Sequence, residues 1–430
     1  MKTLYAKRTA DCPELTVEWN AINIHTELEL SRILGFGGAF TEATAVNYAH
    51  LTPADKKRFI NTYFGRERGI GYNFCRLHIG SCDFGEESYS LSYKEDLSDF
   101  SIERDRRYVL SLVRDALAVE PDLFLFASPW SPPAFMKESP QLTGGGRLQE
   151  RYYPLYAQYF VKFIKAYLAE GVKVQAVTVQ NEPNAIQPWE SCVFTAEEEI
   201  TFAVRHLRPA LDAAGLDDVK IIVWDHNKER LFERAAAAFA TPEGRDAIWG
   251  AGFHWYSGEH FDAIRLTRQA FPDKMVLETE LCHGDTHDNT DAQRAMAYAV
   301  EYCENLANGA HGICDWNMML DSADGGPYHC RPTGGCYAPI YRDVTKNTLK
   351  KDAIFAPIGL FAKHIERGDV TLATTSFSRK VHACAVRKVS GAVVLFVVNE
   401  GAKCLINVRI DGRVARFEIP ARSATANEIV

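Results

Sequence analysis

No apolar run in the 430 residues approaches the roughly 20 that a membrane-spanning helix needs. The opening stretch, MKTLYAKRTADCPELTVEW, lacks the apolar core of a signal peptide, so a cytoplasmic protein is the expectation. Basic excess is missing too. Lys and Arg number 48 against 56 Asp and Glu, and the net charge is -8 with no long basic run. That excludes an electrostatic footprint for nucleic acid or an anionic membrane and leaves a neutral partner. The 11 cysteines are odd in number and scattered, which reads as reduced thiols rather than a disulfide framework. There is no internal repeat and no low-complexity segment. With 47% hydrophobic residues, the chain can bury a large core without staples.

What is present is an alternation. From Leu34 onward, short β-rich runs at 34–40, 72–80, 122–130, 172–182, 219–227, 250–256, 274–280 and 312–320 are separated by longer amphipathic segments. Eight near-continuous apolar runs suit parallel strands covered by helices, and predict an α/β fold: a (β/α)₈ TIM barrel. The helices carry their own punctuation. In YYPLYAQYFVKFIKAYLAEG apolar pairs recur every four residues and Gly171 supplies the stop; the next helix opens on a capping box, Thr195 to Glu198, and runs to Gly215.

Beyond about Asp369 the pattern changes to period-two runs separated by Ser-Gly, Glu-Gly and Asp-Gly turns, which is antiparallel β-structure. The first thirty residues, with LTVEW and INIHTELEL, share that character. Both termini are therefore expected to build one small β-sandwich beside the barrel, residues 1–30 and 367–430, with the barrel at 31–366.

Barrel enzymes carry their chemistry at the C-terminal strand ends. Here those ends supply Asp83, Trp130, Asn181-Glu182, His254-Trp255-Tyr256, Glu278-Thr279-Glu280 and Asp315-Trp316-Asn317. Glu182 and Glu280 end the fourth and seventh runs, which face each other across a barrel. Two opposed carboxylates are what glycoside hydrolysis requires. A strand-end glutamate can also cap a helix or hold an arginine, and Trp130 and Trp316 can be rim packing as well as sugar platforms.

The stretches GFGGAFTEA, CRLHIGSCDF, ASPWSPPAFMK, VQNEPNA, FHWY, ETELC, DWNMML and GGP, in that order over about three hundred residues, resemble glycoside hydrolase family 30, the family of glucosylceramidase. The resemblance implies a barrel with a side β-sandwich and a retaining exo-β-glycosidase acting on a β-linked sugar, a glucoside first, without a cofactor or metal. It implies Glu182 as acid/base and Glu280 as nucleophile. Asp83, Trp130, Asn181, His254, Tyr256 and Trp316 become substrate-binding residues, and Arg76 the arginine that keeps the nucleophile ionised. The acid partner is expected to have a raised pKa in the free enzyme. A β-xylosidase, a β-fucosidase, a β-1,6-glucanase, or a non-catalytic sugar-binding barrel are the rivals.

Three features stand apart. Glu278 should point to the same face as Glu280 and lie deeper, needing a partner such as Arg76 or His78; the family usually has an uncharged residue there. The 326–339 stretch, with His329, Cys330 and Cys336 and with His283 elsewhere, matches no compact zinc signature, so a substrate-binding loop is the more economical reading. GFGG does not complete a dinucleotide fingerprint.

Overall fold

The computed structural model describes residues 1–10, 12–13, 19–284, 289–330 and 335–430. Eight parallel strands close into a barrel: β1 (Gly35–Ala39), β2 (Phe74–Ile79), β3 (Phe124–Pro129), β4 (Ala176–Thr178), β5 (Lys220–Asn227), β6 (Gly250–His254), β7 (Met275–Glu280) and β8 (Gly312–Asn317). Each strand pairs with the next, and β8 returns to β1. The glycines of GFGG are explained by this closure. A Cβ on Gly37 would lie 1.6 Å from the Phe74 carbonyl oxygen, so only glycine lets β1 lie against β2.

The helix expected after 152 spans Tyr153–Ala169, and Gly171 takes φ +77 as its stop. The Thr195 capping box is formed, but the run to Gly215 is interrupted: Ala203–Leu207 is a π-turn between two α-helical pieces. Pro209 has no N–H to offer the carbonyl one turn earlier, and the widened turn absorbs the loss. The run at 312–320 also divides. Its end, Met319–Asp321, leaves the barrel and pairs with Ile340–Asp343, which in turn pairs with Thr348–Lys351 in a small separate sheet.

The side domain is one nine-stranded sheet. In spatial order it runs Lys2–Arg8, Ser423–Ile429, Val393–Asn399, Val381–Arg387, Val370–Thr375, Ala21–Arg32, Cys404–Ile410, Arg413–Ile419 and Cys12–Pro13. Irregular register along Ala21–Arg32 lets the sheet fold over a core that includes Ile22, Ile24, Leu395, Val397, Val408 and Phe417. Both termini contribute, as expected; residues 15–18 of LTVEW lie outside the described residues. Val393–Asn399 is buried along its whole length. Leu395 and Val397 face the sandwich core, while Val394, Phe396 and Val398 join the barrel's core, where Phe396 stacks on Phe361 at 4.8 Å.

Candidate active site

The barrel interior is layered by strand alternation. Phe74, Phe126, Ala176, Ile222, Leu277 and Cys314 form an apolar plug. Two residues further along, where the same face recurs, β2 offers Arg76, β3 Ser128 and β4 Thr178. In β5 a bulge between Trp224 and His226, with Trp224 at φ +72 and Asp225 at φ +47, brings Asp225 onto that face in place of Trp224.

These groups form one buried network. Arg76 places Nη1 2.6 Å from Glu280 Oε2 and Nη2 2.7 Å from Asp225 Oδ2. It also donates to Asn181 Oδ1 at 2.9 Å and Ser128 Oγ at 3.0 Å. His254 connects the other side, with Nε2 3.0 Å from Asp225 Oδ1 and Nδ1 3.2 Å from Glu182 Oε1. Tyr256 donates its hydroxyl to Glu280 Oε1 at 2.8 Å. Trp130 and Trp316 stack at 5.2 Å between centroids and cover the Arg76 guanidinium, 4.7 Å and 5.6 Å away. The two tryptophans therefore pack and line the site at once.

The chain reaches Glu182 through hydrogen bonds that continue past the short β4: Asn181 N–H to the Pro129 carbonyl and Glu182 N–H to the Asp225 carbonyl. Glu182 itself sits at φ +46, a left-handed conformation unfavourable for a non-glycine residue, and such strain concentrates at functional sites. Oxygens of Glu182 and Glu280 and a His254 ring nitrogen lie within 4.8 Å of one another. The three could in principle surround a cation, but His254 is already engaged on both nitrogens, and Arg76 already neutralises Glu280.

A cavity of about 370 Å³ opens over this network, lined by Trp130, Asn181, Glu182, Tyr256, Glu280 and Trp316 together with Gln187, Trp189, His226 and Cys336. Of the sequence-predicted set, His254 and Arg76 are covered and reach the cavity through their partners. Asp83 is buried just past β2, close enough to feel the charges of both glutamates, and does not itself line the cavity.

Burial dominates the titration here, and each group differs in what opposes it. Asp83 is pushed well above the carboxylate range by desolvation and then by Glu280. Burial also raises Glu280, against the pull of His254 and Arg76. Burial disfavours the charged imidazole of His254, yet Glu280, Asp225 and Glu182 outweigh it and lift His254 to about 9. Glu182 lies below its ordinary value: desolvation is overcome by the hydrogen bond from His254 and the charges of His226 and His254. The raised pKa expected of the acid partner is not found: Glu182 shifts downward, because the His254 imidazole stands beside it.

Glu278 departs from expectation. A bulge between Glu278 and Glu280 breaks the alternation, so Glu278 faces outward to the helix Asp291–Ala307, where Asn305 donates to it at 2.7 Å. Neither Arg76 nor His78 is its partner. Burial first, then the nearby Glu301, raises it well above the usual range against the pull of Lys228. Asp315 also points away from the mouth, accepting from the hydroxyls of Tyr72 and Tyr302.

Sequence reasoning missed Asp225 and His226. The signal was present in WDHN at the end of the fifth run, but alternation alone sends Asp225 to the wrong face.

Residues 33–365 match the family model described as the Glycosyl hydrolase family 30 TIM-barrel domain. The chain is 31% identical over 404 residues to lysosomal acid glucosylceramidase of Mus musculus, covering 89% of this chain and 78% of that one. Among solved structures, SrfJ from Salmonella typhimurium superposes with a TM-score of 0.91 at 32% identity, covering 95% and 92% of the two chains. The endo-β1,6-glucanase BT3312 follows the same fold, with a TM-score of 0.86, 27% identity and coverage of 96% and 95%.

Proposed function

The chain belongs to glycosyl hydrolase family 30 and is a glycoside hydrolase; from that premise we propose that it is a retaining exo-β-glycosidase acting on β-glucosides. The observation that carries the reading is that one carboxylate oxygen of Glu182 and one of Glu280 lie within 4.8 Å of each other at the barrel mouth. Carboxyl groups about 5–5.5 Å apart leave no room for a water between base and sugar, and belong to the double-displacement mechanism.

Glu280 attacks the anomeric carbon, and its carboxylate is steadied by Arg76 at one oxygen and Tyr256 at the other. Glu182 protonates the departing oxygen. His254, with Nδ1 3.2 Å away and its pKa lifted to about 9, is the group placed to supply that proton. Once Glu280 is esterified its negative charge is gone, and Glu182 is free to take a proton from the incoming water. Asn181, its Oδ1 held by Arg76, turns its amide N–H groups toward a sugar hydroxyl.

A second reading, an endo-β-1,6-glucanase, is supported by the likeness to BT3312. Initial rates on p-nitrophenyl β-glucoside, β-xyloside and β-fucoside, beside gentio-oligosaccharides of increasing length and a β-glucosyl lipid, separate these. Preference for the short β-glucoside supports the exo reading, and activity only on long β-1,6 chains overturns it. Glu280→Ala should abolish turnover. Glu182→Ala should lose about 10²–10⁴-fold and regain rate with azide, releasing a β-glycosyl azide; release of the α-azide would overturn retention.

A further inference from the structure

The reaction described above uses the glutamates and their partners but leaves two thiols at the same mouth without a task. Cys282 lies two residues past Glu280, and Cys336 belongs to the described segment 335–339. The two chain segments are held side by side: Gly284 and Cys336 form an antiparallel bridge, and the Tyr337 N–H donates to the His283 carbonyl at 2.8 Å. This pairing sets Cys282 Sγ 2.8 Å from Cys336 Sγ. Both thiols line the cavity that holds Glu280. Cys282 is buried, while Cys336 is partly open to solvent. Cys282 Sγ also lies 3.4 Å from the Tyr256 hydroxyl, the group that donates to Glu280. The sulfur pair is therefore one contact removed from the carboxylate proposed to attack the sugar.

We propose that Cys282 and Cys336 form a thiol–disulfide modification site that controls hydrolysis at the adjoining carboxylates. The oxidant is a low-molecular-weight disulfide, RSSR. The thiolate of the more exposed Cys336 attacks one sulfur of RSSR, forming a mixed disulfide and expelling RS⁻. The thiolate of Cys282 then attacks the Cys336 sulfur and expels the second RS⁻. Two protein thiols and one RSSR become one protein disulfide and two RSH; the two electrons and two protons lost by the protein are those RSSR gains. The Cys282 contact and burial hold the Cys336 thiol well above its ordinary pKa, which slows the exchange.

Oxidation has two effects on the site. Tyr256 loses the S–H of Cys282 as a partner, and the segment after β7 becomes covalently tied to the 335–339 segment. Both act on the position of Glu280, where displacement of well under 1 Å is costly. The control of activity rests on the glycosidase reading; the existence of the modification site does not.

The test incubates the protein for hours with oxidised glutathione, removes the excess, and compares three readouts with the reduced protein. Thiols are titrated after denaturation, proteolytic peptides are mapped, and kcat/KM is measured on a β-glucoside before and after dithiothreitol. The expected result is a cross-linked peptide pair containing Cys282 and Cys336, two of the eleven thiols lost to it, and a fall in kcat/KM of about tenfold or more that dithiothreitol reverses. The rate of Cys336→Ser should not respond to the oxidant. Absence of the Cys282–Cys336 cross-link overturns the site, and a cross-link with unchanged kcat/KM overturns its control of activity. Should Cys336→Ser fail to fold, the wild-type peptide map and its reversal decide. Because the map reads no hydrolysis, failure here is distinct from failure of the glycosidase reading.

Discussion

His254 Nδ1 lies 3.2 Å from a Glu182 oxygen, and the two groups shift in opposite directions, the imidazole up to about 9 and the carboxyl group below its ordinary value. Three carboxylates, Asp225, Glu182 and Glu280, share that imidazole and Arg76 within hydrogen-bond reach. The histidine's proton is what keeps their mutual repulsion tolerable.

Stability should follow that proton. The folded pKa of His254, about 9, lies above its unfolded value of 6.5, so the stabilisation is complete below pH 6.5 and is lost as pH rises through 9. At roughly 1.4 kcal/mol per unit the amount is on the order of 3 kcal/mol. Thermal melting from pH 6 to 10 should show a fall in Tm, and His254→Asn should flatten it. A wild-type Tm that is level across this range would remove the argument.

Asp225→Asn takes one charge out of the buried network and leaves Arg76 and His254 with only the two glutamates. Breaking a buried ion pair typically costs about 3–5 kcal/mol, and urea titration should register a loss of that order. The alkaline limb of the kcat/KM profile should also move down, because Asp225 helps to hold the His254 proton. An unchanged limb would mean that Asp225 serves only the fold.

Glu278→Gln should be tolerated. Burial and Glu301 push the side chain toward its neutral form, and glutamine can still accept from Asn305, so kcat/KM should stay within about threefold and stability within about 1 kcal/mol. Glu280→Gln, two residues on, should lose nearly all turnover. If the two variants behaved alike, the opposite orientation of these glutamates would be wrong.

Asp315 is raised to about 7 by burial, above its unfolded value near 3.9, despite the Tyr72 and Tyr302 hydroxyls that favour its ionised form. Stability from this group is full below pH 3.9 and is lost as pH climbs toward 7. Asp315→Asn escapes that loss. Its Tm should equal or exceed that of the wild type at pH 8, and a Tm lower by several degrees there would show that the tyrosines need the carboxylate.

The barrel, the side sheet built from both termini and the pair Glu182 and Glu280 were legible because they depend on periodicity and on strand ends, which a sequence displays directly; the sheet is mixed rather than antiparallel, since Lys2–Arg8 and Ala21–Arg32 each pair in parallel with a C-terminal strand. Asp225, Glu278 and the pKa of Glu182 were not. The first two depend on bulges in β5 and β7, and a one-residue change of phase reverses which face a side chain joins without altering composition. The third depends on His254, contributed by β6 and assembled against Glu182 only by closure of the barrel. The 312–320 run misled in the same way: its apolar residues continue, but after Asn317 they serve a different sheet.

Val393–Asn399 gives one face to the sandwich core and the other to the barrel's helices, and no solvent lies on either side. A cut in the chain before the C-terminal strands would therefore strip the barrel of wall as well as of neighbour, baring Phe361 and the apolar surface around it. The border between barrel and sheet is a feature of the sequence order, while cooperativity ignores it. Removing the C-terminal strands should therefore destabilise the barrel itself, and heating should disturb barrel and sheet together.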